Sequence, residues 1–199
     1  MNDTEISFDN EMKSPGMARW VGRALAGSII QVFDKVCYFD VDTIKTVKKR
    51  IDLNSNMPSK DELPLAHKYK ELHESGRDDQ IPFKAMQLTT VVAEALRMCN
   101  LENGPEKISF DLYGVKIGNV ALLGIPGEPF TDIGVRLKAE KGWDMILPCA
   151  LTNGYEGYFP TKSAYEEGGY ESRSSIYRCG VDDDIVNCCK EILQELKNK

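Results

Sequence analysis

From Met17 to about Val36, apolar residues recur at intervals of three and four: Met17, Trp20, Val21, Ala24, Leu25, Ile29, Val32, Phe33 and Val36. That spacing predicts a helix with one buried face. Ser14-Pro15 marks its start, with Ser as the N-cap and Pro at the first helical position. Gly22 and Gly27 weaken it intrinsically, so close packing against a sheet is expected at those points. From Asp40 to Leu53 the period becomes two. Val41, Thr43, Lys45, Val47, Lys49 and Ile51 alternate with Asp42, Ile44, Thr46, Lys48 and Arg50. This predicts a strand with an exposed basic face near a sheet edge, where lysines discourage further pairing. After a turn over Asn54–Lys60, helical spacing returns in two segments, Ser59–Ser75 and Pro82–Asn100, separated by the polar 76–80. The second has the broader apolar surface, built from Phe83, Met86, Leu88, Val91, Val92, Ala95, Leu96 and Met98.

Asn103-Gly104-Pro105 stops that helix. Ile108–Tyr113 and Val115–Ile125 then predict a hairpin turning near Tyr113-Gly114. Next come a helix over Thr131–Lys141, a buried central strand over Met145–Leu151, and a short helix over Thr161–Glu167 capped by Thr161. A last helix over Val181–Lys197 carries Asp182, Asp183 and Asp184 at its positive end. The sum is an α/β sandwich: a mixed sheet with flanking helices, one domain over residues 14–199 behind a flexible terminus over 1–13.

Composition narrows the function classes. A chain of 199 residues with 42% hydrophobic positions can bury a substantial core. The net charge of −6 and pI near 5.1 argue against nucleic acid or an anionic membrane as the main partner. No apolar run is long enough to span a bilayer and nothing resembles a signal peptide, so a soluble cytoplasmic protein is expected. The six cysteines include no Cys-x-x-Cys pair, and adjacent Cys188-Cys189 cannot easily serve one tetrahedral metal. Cys37, Cys99 and Cys149 stand in apolar contexts and are expected to be small buried hydrophobes, all six being reduced thiols.

Candidate chemistry gathers between Ile117 and Glu171. Glu128 follows a Pro-Gly turn at the end of an apolar strand and precedes a helix that Thr131 can cap. It either complements the helix dipole or serves as a metal ligand or general base held at a strand end. Tyr155, Tyr158, Tyr165 and Tyr170 stand among glycines. They are either rim residues closing a core or phenols aimed into a cleft, where they can donate to an oxyanion or coordinate a metal. His67 and His73 lie six apart in one predicted helix, on different sides of it, and form no helical metal pair.

Pro126-Gly127-Glu128-Pro129-Phe130-Thr131-Asp132-Ile133-Gly134 resembles the Pro-Gly-Glu-(Pro)-Phe-Thr segment of the neutral/alkaline, non-lysosomal ceramidase family. Asn153-Gly154-Tyr155-Glu156-Gly157-Tyr158-Phe159-Pro160-Thr161, followed by Tyr165-Glu166-Glu167 and Tyr170-Glu171, resembles that family's next motif with the same internal spacing. The preceding stretch from Leu112 to Gly124 fits as well. The resemblance implies a zinc amidohydrolase acting on an N-acyl amide of a small molecule or lipid, its zinc held by two histidines, a glutamate and a tyrosine. It places the glutamate at Glu128 and the tyrosine at Tyr158, with Tyr170 beside them as a further catalytic candidate. It covers only the C-terminal half of the family's catalytic domain; the family's zinc histidines belong to the earlier half, and His67 and His73 lie outside the matching motifs. A partner chain or missing N-terminal half is therefore expected to complete the site. Two other readings stand beside it: a non-catalytic, self-associating binding domain that keeps the fold without metal, and a metal-independent hydrolase using Glu128 with Tyr158 or Tyr170 as base and acid.

Overall fold

The structure is a computed structural model that describes residues 14–198 except 39 and 42. The expectation for residues 1–13 lies outside the described residues. Contacts gather into two units, Met1–Asp40 and Val41–Lys199. No helix among the described residues is long and apolar enough to cross a membrane.

The first unit contains helix α1 (Pro15–Phe33), whose N-cap Ser14 accepts from the Met17 amide at 3.1 Å. The start and length follow the sequence pattern, but the buried face does not. Met17 is its one buried side chain, while Leu25, Ile29 and Phe33 are exposed. Within its own unit a Cβ at Gly22 or Gly27 would meet nothing within 4 Å.

The second unit is built on a four-stranded mixed sheet in the order β1 (Ile44–Asn54), β2 (Lys107–Ile117), β3 (Val120–Gly124) and β5 (Met145–Cys149). The first three strands are antiparallel and β5 runs parallel to β3. The lysine-bearing strand β1 does lie at an edge, with Lys48 paired to Asp111 at 3.0 Å on the outward face. The Met145 run is the other edge rather than a central strand, and Met145 and Leu147 are exposed. Helices α4 (Thr131–Lys138) and α7 (Val181–Asn198) cover the inner face. Ile133, Leu137, Ile185, Ile192 and Leu196 bury there against Val47, Leu112, Ala121, Leu123 and Ile146. Cys188 and Cys189 face this core, whereas Cys37 is exposed and Cys99 and Cys149 are half-buried, which corrects the expected burial of those three. All six thiols are unpaired. Helices α2 (Leu63–Glu74) and α3 (Ala85–Leu101) form a hairpin with its own core around Ala66, Tyr69, Val92, Ala95 and Met98.

The hairpin between β2 and β3 turns at Gly118-Asn119, not at Tyr113-Gly114. Gly118 takes a φ of +58°, as primed two-residue turns demand. Gly114 stays inside β2 for another reason: a Cβ there would stand 2.3 Å from Ile192 Cγ2 and 2.9 Å from Leu196 Cδ1. The glycine lets α7 lie close against the sheet, a packing signal that reads as a turn in sequence alone.

The outer face is different. Register partners share a face, which sets Ile44, Ile117, Val120 and Met145 in one row and Thr46, Val115, Leu122 and Leu147 in the next. Ile44 is 68% exposed and Met145 53%, so an apolar sheet surface faces outward. Gly114→Ala should lower stability by about 1–3 kcal/mol, because Ile192 sits in a filled core and cannot move aside. In α4, Gly134 has open space at its Cβ. Gly134→Ala should therefore be neutral or stabilising, by up to about 1 kcal/mol. Urea unfolding of the two variants beside the parent checks both.

Candidate functional site

Where β3 ends, the chain is laced to the loop after β5. Ile125 N donates to Cys149 O at 2.9 Å, Thr152 N to Ile125 O at 3.1 Å, Leu151 N to Gly127 O at 2.9 Å and Glu156 N to Pro126 O at 2.6 Å. The loop accommodates this with left-handed backbone at Leu151, Asn153 and Gly157, whose φ values are +54°, +61° and +80°. Strands β4 (Glu128–Pro129) and β6 (Tyr158–Phe159) then pair in parallel, with Glu128 opposite Tyr158. Glu128 N donates to Gly157 O at 2.8 Å. Only glycine fits at 127, since a Cβ would stand 2.5 Å from Gly157 O and 2.6 Å from the Phe159 ring.

Phe159 fastens β6 to the core, with ring centroids 5.6 Å from Phe110 and 5.1 Å from Tyr177. Its neighbour Tyr158 points the other way and is half-buried. Short helix α5 (Lys162–Glu167) starts at its cap Thr161 and ends at Gly168 in the left-handed region; helix α6 (Tyr170–Ser174) follows. This turn brings the Tyr170 ring edge-on to Tyr158, 6.2 Å between centroids at 79°. Thr131 does not cap α4. It is the first helical residue, behind Phe130, which supplies no side-chain cap.

Glu128, Tyr158 and Tyr170, separated by 42 positions in sequence, thus stand together. Tyr155, which the sequence left undifferentiated, joins them near enough for the Glu128 carboxylate to act on its phenol. Desolvation first, then the nearby Glu128 charge, pushes the Tyr158 phenol above its usual range. Tyr155 moves the same way, with desolvation followed by the Glu128 bond and charge. The phenols around this carboxylate are held as proton donors. Tyr165 is apart: its hydroxyl donates to Tyr177 O at 2.6 Å, and burial pushes it up to about 12.

Two supporting residues escaped the sequence reading. Ser175 is buried and donates to Tyr158 O at 2.9 Å, fixing the backbone of β6. Arg97 is buried in α3 and donates to Arg173 O at 2.8 Å and Asn56 O at 2.6 Å, tying the helix that carries Tyr170 to the α2–α3 pair. Neither has a sequence signal, because each is defined by a carbonyl far away in the chain. Beside Tyr170, residues Phe83, Met86, Thr90 and Val91 border a cavity of about 370 Å³.

The donor set does not by itself fit zinc. Among the described residues no group of three or more His, Cys, Asp or Glu side chains gathers to hold a metal. His67 bonds Glu102 at 2.9 Å and His73 bonds Asp78 at 2.9 Å, both engaged elsewhere. One carboxylate and a phenol that resists ionisation fall short of the roughly four nitrogen, sulfur and oxygen donors zinc takes.

No family model and no curated protein matches the sequence. Among solved structures, the chain is similar over its whole length to a neutral ceramidase from Pseudomonas aeruginosa, with a TM-score of 0.61 and 15% identity. It spans 35% of that protein. A second structure, a ceramidase complexed with C2, aligns over 47% of this chain and 15% of its own, at 22% identity and a TM-score of 0.42. At 15% identity the likeness to the neutral ceramidase shows the fold alone: an α/β chain like part of a ceramidase.

Glu128→Gln removes the charge that opposes a phenolate at Tyr155. Tyr155 should then ionise at a lower pH than in the parent, seen by absorbance titration near 295 nm with Tyr155→Phe as the blank. An unmoved titration would mean the two groups do not interact.

Proposed function

We propose that this chain supplies the carboxylate and phenol side of an amidohydrolase site acting on an N-acyl amide of a small molecule or lipid. Two imidazoles from a partner chain or a further segment complete that site. The observation that carries the reading is the β4–β6 ladder, which sets Glu128 directly opposite Tyr158 at paired strand ends. The motifs that resemble the ceramidase family converge there, and the fold similarity to a neutral ceramidase over the whole chain supports the same reading. Glu128 and Tyr158 would hold the metal with the added imidazoles. A zinc ion so held supplies Lewis-acid polarisation of the amide carbonyl and a water of lowered pKa. The chain's own contribution is positional. Ser175 and the Gly127 contact fix Glu128 and Tyr158 relative to each other. The phenols of Tyr155 and Tyr170 offer hydrogen bonds to charge developing on the amide oxygen. Six free thiols support a reducing, cytoplasmic setting.

The outward apolar face of the sheet favours a second reading, a domain that self-associates or assembles without metal. Zinc analysis separates the two. The purified chain alone should hold no stoichiometric zinc. Addition of a histidine-bearing partner half should bring zinc to about one per complex and restore hydrolysis of an N-acyl amide, and Glu128→Ala or Tyr158→Phe should each abolish both gains. Stoichiometric zinc on the chain alone would overturn the shared-site reading. A stable oligomer that never gains zinc or activity would establish the second.

A further inference from the structure

Cys99, His67 and Glu102 form a linear arrangement that the Glu128 site does not use. Cys99 lies in the last turn of α3, Glu102 follows as its C-cap, and His67 faces them from α2. His67 Nδ1 stands 3.6 Å from Cys99 Sγ, and His67 Nε2 stands 2.9 Å from Glu102 Oε2. Glu102 Oε2 lies within ion-pair distance of Nε2, and the tautomer with its proton on Nε2 is the one that can donate to that carboxylate. That leaves the Nδ1 lone pair aimed at the thiol. Nucleophile, base and orienting acid thus stand in the order that base-assisted thiol chemistry requires. The ring spends its two nitrogens on opposite partners, so the three residues cannot close on one metal ion.

The thiol is not a preformed thiolate. Burial first, then Glu102 and Glu74 against the opposing Lys70, raises the Cys99 pKa. Cys99 therefore rests as S–H and reacts when His67 takes its proton. It is half-buried and His67 is exposed, so a small reagent can reach the pair from solvent. The backbone amides of the last turn of α3 are engaged within the helix, and no oxyanion hole is built around the sulfur. The group is suited to accepting one acyl unit rather than to turnover.

We infer that Cys99, assisted by His67 and Glu102, is a covalent modification site that accepts an acyl group from a small thioester. The Cys99 proton passes to His67 Nδ1 as Sγ bonds the carbonyl carbon. The carbon–sulfur bond to the leaving thiol then breaks, and that thiolate takes the proton from the imidazolium. The products are an acylated Cys99 and a free thiol, with no oxidant or reductant required.

The test uses the full chain with N,S-diacetylcysteamine, reading acetylation of each cysteine by mass spectrometry over time and pH. Cys99 should acetylate about tenfold or more faster in the parent than in His67→Gln, the lower end of what a positioned base contributes. Its rate should rise at a lower pH in the parent than in that variant. Glu102→Gln keeps the base but loses the tautomer lock, and should fall between the two. All three residues lie at the surface, and circular dichroism with thermal melting confirms that each variant is folded. Equal Cys99 rates in the parent and both folded variants would overturn the inference. So would iodoacetamide alkylation that depends on His67 while thioester transfer does not, since the acyl class would then be wrong. Should His67→Gln fail to fold, parallel rates in parent and Glu102→Gln would overturn it alone.

Discussion

The close backbone approach at Gly127 is the constraint on which the site depends. Residues 125–127 exchange hydrogen bonds with the loop 149–156, and Gly127 lies against Gly157 O with no room for a side chain. From that contact the rest follows in order. Glu128 pairs with Tyr158, Phe159 locks into the aromatic core, and the chain is directed through Thr161 to the glycines that set Tyr170. Positive φ at Leu151 and Asn153 costs of order 1–3 kcal/mol per residue, and such strain persists only where surrounding structure over-determines it. Here the surrounding structure is the ladder itself. The strained loop and the glycine contact are two sides of one device for holding a carboxylate at a strand end.

What that device holds is one negative charge among neutral phenols. Desolvation first, and then the Glu128 charge, raises the Tyr155 and Tyr158 phenols above their usual range, which keeps them protonated. This balance changes only if a cation arrives, because a nearby positive charge favours phenolate and weakens the hold of each phenol on its proton. The cluster is thus coherent as it stands, and the proposed metal would depend on groups outside it.

The placement of the candidate residues was legible in the sequence where it rested on local rules. Glu128 after Pro-Gly and Tyr158 after Asn-Gly and Gly stand out because tight turns require those glycines, and the turns do bring the two side chains together. The edge position of β1 was legible in its lysines, and α5 in its Thr161 cap. Gly114 misled, because a glycine that admits a helix and one that turns a chain look alike until α7 is placed. The Met145 strand misled for a related reason. An apolar strand with no partner beyond it keeps the composition of a buried one. Ser175, Arg97 and the Cys99–His67 contact were invisible, since each depends on residues 17 to 76 positions away.

The sheet and the site share one asymmetry. On the inner face every position opposite α7 is filled closely enough that one methyl at Gly114 would clash. On the outer face, rows of Ile, Val, Leu and Met stand half-buried or exposed. Burial of apolar surface stabilises by roughly 25 cal/mol per Å², so a face of this composition is a standing incentive for association. In the proposed shared site the Glu128 group supplies oxygen donors, and among the described residues no three or more His, Cys, Asp or Glu side chains gather to hold a metal. A single added layer bearing imidazoles would meet both needs, whereas self-association through the outer face would meet only the first. The two proposed functions therefore differ in what a covering surface would carry.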